Sequence, residues 1–402
     1  MRPYQIAQHW VADPEQILRL FLYATKVGML NLSWNLICPN CRVSKENVSS
    51  LSQLNAKFHC DLCGIDYESN FEKYVELFFS VHPLIRTAYA QTYCMGGPMI
   101  TPHVHSQKIA KQGDSIEFQL PSNPERYRFR VLQVNHLLRI NLNEQTQMNL
   151  VEEVQLEYGD EGWKASSLTI DSSTKVIRIT NHSTKEMIVV LEVIDWSKER
   201  VTASKVTAMQ EFRDLFSSEV LAPGQQVGIE SVTILFSDVK GSTMMYEEIG
   251  DSQAYGQVRK HFDILTRCIS NHSGSVVKTI GDAVMAVFHL PEDAVKAAIQ
   301  IQHKIAEYNQ KEQEELILKI GVFSGPAIVV NSNDRLDYFG RTVNIAARIQ
   351  GESIGNDLVI SKQFLNSEER LQFLHPKEVK VEQFRAKLRG IEEEFDLVRI
   401  IF

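Results

Sequence analysis

Three short blocks between Val232 and Arg348 constrain this chain more than any other feature, because each joins an apolar segment to polar side chains at its end. Val232 to Phe236 is an apolar, β-branched run and predicts a buried strand with Asp238 just past it. Lys240, Gly241, Ser242 and Thr243 then predict the opening of a helix that ends near Ile249-Gly250. Ser275 to Thr279 and Ala283 to Phe288 read as the arms of a hairpin turning at Ile280-Gly281, with Asp282 beside the turn. In the third block Asn344 and Arg348 are i and i+4 and share one helix face, while Val343, Ala346 and Ala347 can pack on the other side. Asp337 stands seven residues before Asn344, on the preceding strand or loop.

Taken singly, each block has an ordinary reading: a capping turn, a hairpin turn, a solvated helix face. Taken together they make a set. Asp238 and Asp282 converge on neighbouring strands and repel one another unless a divalent cation sits between them, and hard oxygen ligands with room for water suit magnesium or manganese. Gly241 lets the backbone approach an anion, and the helix start at Ser242 and Thr243 offers unpaired N–H groups to phosphate. Lys278 and Asp337 supply a donor and an acceptor for a base, and Asn344 and Arg348 a polar pair for a reacting phosphate. These are the requirements of a two-metal phosphoryl-transfer site with one substrate.

With Lys319-Ile320-Gly321-Val322 through Gly325-Pro326, and the ending Leu388-Arg389-Gly390-Ile391, these blocks make residues 229–402 resemble a class III nucleotide cyclase catalytic domain. The resemblance implies a ferredoxin-like βαββαβ domain: an antiparallel sheet with helices packed on one face, including one from Glu292 to about Tyr308. It implies that Asp238 and Asp282 hold two Mg2+ or Mn2+ ions, that Lys278 and Asp337 read the purine edge, that Asn344 orients the ribose and that Arg348 stabilises the reacting phosphate. Adenine offers a ring-nitrogen acceptor and an amino donor, which a lysine and an aspartate complement; the expected substrate is ATP, giving 3′,5′-cyclic AMP and pyrophosphate. In this family the metal acids and the purine and transition-state residues come from different subunits. A chain with all six is therefore expected to work as a homodimer and to be inactive as a monomer. Phe323 departs from the histidine that many relatives place there. The alternatives are a guanylyl or mixed-purine cyclase and a non-enzymatic nucleotide-binding sensor.

The N-terminal half reads differently. Cys38-x-x-Cys41 and Cys60-x-x-Cys63, with eighteen residues between Cys41 and Cys60, have the spacing of a zinc ribbon. A structural Zn2+ is expected on these four thiolates; iron is the competing reading, because Cys60 to Tyr67 also resembles one rubredoxin knuckle. Pro14 to Leu32 predicts a helix punctuated by Gly28. Tyr127, Phe129 and Val131 alternate with Arg128 and Arg130, and with the runs Val176 to Ile179 and Met187 to Ile194 they predict a β-sandwich over about 105–197. His103 and His105 are read as ordinary strand histidines, and Cys94 and Cys268 as buried apolar residues.

The whole is expected to be an α+β multidomain chain: a helical segment (1–33), a zinc ribbon (34–75), a β-rich regulatory domain (76–200), a linker or transducer helix (201–228) and the cyclase domain (229–402). This helix, ribbon and sandwich arrangement resembles an uncharacterised N-terminal region found on bacterial cyclases. With 402 residues and a net charge of −8, acids and bases interspersed, nothing in the composition points to nucleic acid. The absence of a long apolar run argues against membrane insertion. The expected compartment is the cytoplasm, and the N-terminal half is expected to answer to a regulatory ligand or protein of unknown identity.

Overall fold

The strand that carries Asp238 near its end lies inside the C-terminal sheet, with two strands on one side and four on the other, in a computed structural model that describes residues 1–38, 42–55, 57–61, 64–87, 103–120, 127–134, 136–143, 153–171, 174–193, 200–365 and 380–402. Strand Gln226–Val239 pairs antiparallel with Ala283–Phe288 on one side and with Leu318–Ser332 on the other. Gly274–Ile280 completes the hairpin and lies at one edge. Beyond Leu318–Ser332 follow Asp357–Ser361, Glu394–Ile401 and Lys380–Lys387, and Arg335–Phe339 pairs off to the side. The chain order is strand, helices Ser242–Ile249 and Asp251–Asn271, two strands, helix Pro291–Glu312, strand, which is the βαββαβ sequence of elements.

Alternation divides the sheet into two buried faces. Leu235 and Val239 point to a core shared with Leu265, Cys268 and Ile269 of one helix and Ala298, Ile301 and Ile305 of the other. The expectation that helices cover one face only is corrected here. Helix Arg341–Gly351 lies on the opposite face, where Ala346 joins Ile234, Phe236 and Met285. That helix sits directly on the sheet: a Cβ at Gly321 would meet the Gln350 backbone nitrogen at 2.2 Å, so no side chain fits there. The sheet is also not wholly antiparallel, because Leu318–Ser332 and Asp357–Ser361 run parallel across the connection made by this helix.

The second face is completed by the N-terminal half. Leu18, Leu22, Trp34, Leu36, Phe71 and Phe79 share one buried cluster with Ile234, Met285 and Tyr338 of the sheet. Helix Pro14–Lys26 opens with Asp13 accepting from the Glu15 N–H and Pro14 in the first turn. It stops at Lys26, short of the expected Leu32, because Gly28 turns the chain at φ 77° and Leu30–Ile37 leaves as a strand. That strand pairs with Ser44–Val48 and Val75–Val81, so one sheet runs through the boundaries expected at 33/34 and 75/76. A first helix, Pro3–Trp10, precedes it. The linker is two short helices, Ala203–Thr207 and Gln210–Leu215, separated where Met209 takes an extended conformation. No helix among the described residues is long and apolar enough to cross a membrane.

Between these parts, a four-stranded and a five-stranded sheet close on a core of their own that includes Phe118, Tyr127, Phe129, Ile177 and Leu191. Arg128 and Arg130, on the face of Tyr127–Val131 away from this core, are 8% and 3% exposed. They are buried because Glu192, 0% exposed, lies between them, with Arg128 Nε at 2.6 Å and Arg130 Nε at 2.8 Å. His103 is buried beside the same carboxylate, Nε2 3.7 Å from Glu192, whereas His105 is exposed, so the two histidines do not share a face. Burial, and after it Arg42, Arg130, Arg128 and Arg2, hold His103 down to about 3. Breaking one partner of a buried ion cluster strands the others. Glu192→Ala is therefore expected to cost about 3–5 kcal/mol, read as an early transition in urea unfolding followed by tryptophan fluorescence.

Candidate functional site

Asp238 follows Phe236 on the same face of its strand, and Asp282 reaches it from the hairpin turn. Gly281 makes that turn at φ 64°, and the Val239 N–H donates to Asp282 Oδ2 at 3.3 Å. Asp238 is half-buried, and its carboxyl is held above the ordinary carboxylate range first by that burial and then by the neighbouring Asp282. Two carboxylates held together with poor hydration are a donor set that fits a divalent cation. Lys319 nearby offsets the repulsion only in part. The ionised Asp238 is worse off in the folded chain than in the unfolded one. Its pKa is raised on folding, so stability is lost as pH rises through that raised value. Asp238→Asn is therefore expected to melt higher than the parent at pH 7 in chelator, by roughly 1–3 °C by scanning calorimetry. Added Mg2+ or Mn2+ should stabilise the parent and not the variant.

Lys278 and Asp337 also meet. Lys278 Nζ is 2.6 Å from Asp337 Oδ2 and lies over the Phe339 ring, 5.3 Å from its centre. Asp337 is 6% exposed, and its other oxygen accepts from the Tyr338 N–H at 2.8 Å. A register shift between Val276 and Lys278 in the hairpin sets the direction of the lysine. Asn344 and Arg348 stand exposed on one face of helix Arg341–Gly351, as their spacing predicts, while Ile345, Ala346 and Ile349 are buried on the other. Gly241 precedes helix Ser242–Ile249 at φ 73°; a Cβ there meets nothing within 4 Å, so the backbone angle alone calls for glycine. The six side chains thus stand as an acidic pair, a Lys–Asp pair and an exposed Asn–Arg pair. Phe323 packs against Phe395, ring centres 6.1 Å apart, in the cluster that holds Ile345 and Ile349.

Sequence reasoning missed the residues behind these pairs. Gln210 Oε1 accepts from the Val276 N–H at 2.8 Å, and Arg213 Nη2 donates to the Leu336 carbonyl at 2.7 Å. The linker therefore holds both strands that carry Lys278 and Asp337. A helix was expected there, but nothing in its polar positions signals a long-range partner.

In the N-terminal half, Cys38 and Cys60 lie together, both fully buried, with Val43 and Tyr67 packed on them. The two turns are alike: the Arg42 N–H donates to the Cys38 carbonyl at 2.9 Å, and the Gly64 N–H to the Cys60 carbonyl at 2.7 Å. Arg42 and Gly64 have φ 63° and 64°. The first knuckle lacks a glycine and places an arginine in the left-handed region, where Glu76 pairs with it at 2.6 Å. Cys41, Cys63 and Cys94 lie outside the described residues. Among the described residues, no group of three or more His, Cys, Asp or Glu side chains is placed to hold a metal ion.

Residues 225–394 match the family described as Adenylate and Guanylate cyclase catalytic domain, and residues 2–94 match a family of unknown function, DUF5939. The C-terminal part of this chain is a class III adenylyl/guanylyl cyclase catalytic domain. It is 27% identical to an adenylate cyclase of Lachancea kluyveri, over 40% of this chain and 10% of that protein. It is 31% identical to the receptor-type guanylate cyclase Gyc76C of Drosophila melanogaster, over 34% of this chain and 10% of that one. The chain thus spans about a tenth of the length of these relatives. Among solved structures, the adenylyl cyclase CyaB from P. aeruginosa aligns at 20% identity and a TM-score of 0.38, over 44% of this chain and 96% of that one.

Proposed function

We propose that this chain is an adenylyl cyclase that converts ATP to 3′,5′-cyclic AMP and pyrophosphate at a site shared by two copies of itself. The Lys278–Asp337 pair, 2.6 Å apart, carries the reading. A lysine donor faces the ring nitrogen of adenine and an aspartate acceptor faces its amino group. Guanine presents the reverse pattern and leaves buried Asp337 unmatched, which is where strong discrimination comes from. Asn344 orients the ribose so that its 3′-oxygen can attack the α-phosphorus. Arg348 stabilises charge there as pyrophosphate leaves. Gly241, Ser242 and Thr243 receive the phosphates on backbone N–H groups. Mg2+ or Mn2+, two ions held by Asp238 and Asp282, would supply neutralisation of the triphosphate and a lowered pKa for the 3′-hydroxyl. The exposure of Asn344 and Arg348 supports a site completed by a second copy.

The test is turnover of ATP and of GTP by the purified chain, in Mg2+ and in Mn2+, with products identified by mass. Cyclic AMP from ATP alone is expected. Cyclic GTP product at a comparable rate would support the guanylyl or mixed-purine reading, toward which the likeness to Gyc76C points. Nucleotide binding with no pyrophosphate release would support a non-enzymatic sensor.

Cys38, Cys41, Cys60 and Cys63 are assigned a structural Zn2+ that holds the two matched turns together. Elemental analysis is expected to find one zinc per chain, and Cys38→Ser to lose it; one iron per chain would replace the assignment by a rubredoxin-type site. The N-terminal half is assigned the regulation of turnover, in line with its shared core with the catalytic sheet.

A further inference from the structure

Behind the strands that carry Lys278 and Asp337 there is a cavity of about 250 Å3, walled by the linker on one side and by Val276 and Leu336 on the other. Two arginines border it. Arg213 spends one nitrogen on the Leu336 carbonyl, at 2.7 Å, and its Nη1 is buried with no hydrogen-bond partner among the described residues. Arg335, exposed at the rim, lies close enough to Arg213 to act on it electrostatically. Neither arginine forms an ion pair with a described acid; the acids on the same wall are committed or solvated. Glu219 accepts from Trp34 Nε1 and from the Leu51 N–H, each at 3.0 Å, and exposed Asp214 accepts from Gln210 at 2.8 Å. The remaining wall is aromatic: Phe212 and Phe216 stack with ring centres 5.4 Å apart.

Two guanidinium groups that form no ion pair with a described acid, although Asp337 and Asp214 act on Arg213 at longer range, stand beside an aromatic wall and are complementary to an oxyanion on a flat apolar body. We propose that this cavity is an effector site for a small carboxylate- or phosphate-bearing molecule, and that its occupancy acts on the nucleotide site through the linker. The coupling half rests on the nucleotide-cyclase reading above. Its route is short. Arg213 donates to the residue before Asp337, Gln210 accepts from the residue two before Lys278, and Tyr338 Oη donates to Thr207 Oγ1 at 3.4 Å. A ligand that draws Arg213 into the cavity alters its grip on the strand of Asp337, and reaches the strand of Lys278 through Gln210 on the same short helix. Burial holds the Arg213 guanidinium below its ordinary pKa, which a bound anion would relieve.

The test uses the full chain without divalent cations, with phenyl phosphate, benzoate and inorganic phosphate as probes in calorimetric titration. Phenyl phosphate or benzoate is expected to bind at least about tenfold more tightly than inorganic phosphate, and the stronger of the two names the oxyanion. Arg335→Gln, at an exposed position that leaves the fold intact, is expected to weaken that binding by about tenfold, and Arg213→Gln by more. Binding unchanged in both variants, no binding by any probe, or inorganic phosphate binding as tightly as the aromatic probes would each overturn the site. Coupling is read separately, with Mg2+ added, as the Kd of a non-cyclisable ATP analogue with and without saturating probe. A change of about fivefold or more, in either direction, is expected. An unchanged Kd with the probe bound overturns the coupling. Failure of the analogue to bind at all, with the probe still bound, counts against the nucleotide reading and leaves the effector site standing.

Discussion

Asp238→Asn or Asp282→Asn is expected to lower cyclic nucleotide production by at least about a thousandfold, since divalent-ion stabilisation of a phosphoryl transfer is worth several kcal/mol. The same substitutions are expected to leave the fold in place and the metal-free protein slightly more stable. The two carboxylates oppose one another in the folded chain, and Asp238 is held above the ordinary carboxylate range by burial and by Asp282. The combination is diagnostic. A residue needed only for structure loses activity and stability together, whereas a functional acid held in an unfavourable place loses activity and gains stability. Normal Mg2+- or Mn2+-dependent turnover in either variant would sink the assignment of these two acids.

The second large effect is complementation. Asp238→Asn chains and Lys278→Ala chains are each expected to be inactive. Mixed after reversible dissociation, they should recover up to about a quarter of parental activity. Random pairing makes half of the dimers hybrid, and each hybrid has one intact site out of two. The control is a mixture of Asp238→Asn with Asp282→Asn chains. Both lesions fall in the same half of the shared site, so every hybrid site stays damaged and no activity should return. Recovery in the control, or none in the first mixture despite proven heterodimers, would count against a shared site.

Much of the catalytic domain was legible in order along the chain because its signals are local. The apolar run before Asp238, the Gly281 turn and the four-residue step from Asn344 to Arg348 each express a backbone period or a turn requirement that neighbouring residues alone set. The strands, the hairpin and the buried Ala346 face follow directly. What failed did so where distant partners decide. Arg128 and Arg130 read as the polar side of a strand, yet both are buried because Glu192, more than sixty residues away, compensates them. Pro14 to Leu32 read as one helix, yet Leu30 is drawn into a strand by pairing with Val81. The linker read as one linker or transducer helix, yet it breaks at Met209.

By itself, the sequence determined which polar groups this protein can bring to a site. The residue types, their order and their spacing specify two acids, a donor–acceptor pair and an Asn–Arg pair, and no folding detail alters that inventory. Only the tertiary structure decided what those groups rest on. It put helix Arg341–Gly351 on the face opposite helices Asp251–Asn271 and Pro291–Glu312. It built the N-terminal half into the same core as the catalytic sheet, and it tied Gln210 and Arg213 to the strands of Lys278 and Asp337. The reason is physical: a motif is fixed by short-range geometry, while a shared core and a buried arginine depend on which surfaces far apart in the chain exclude water together.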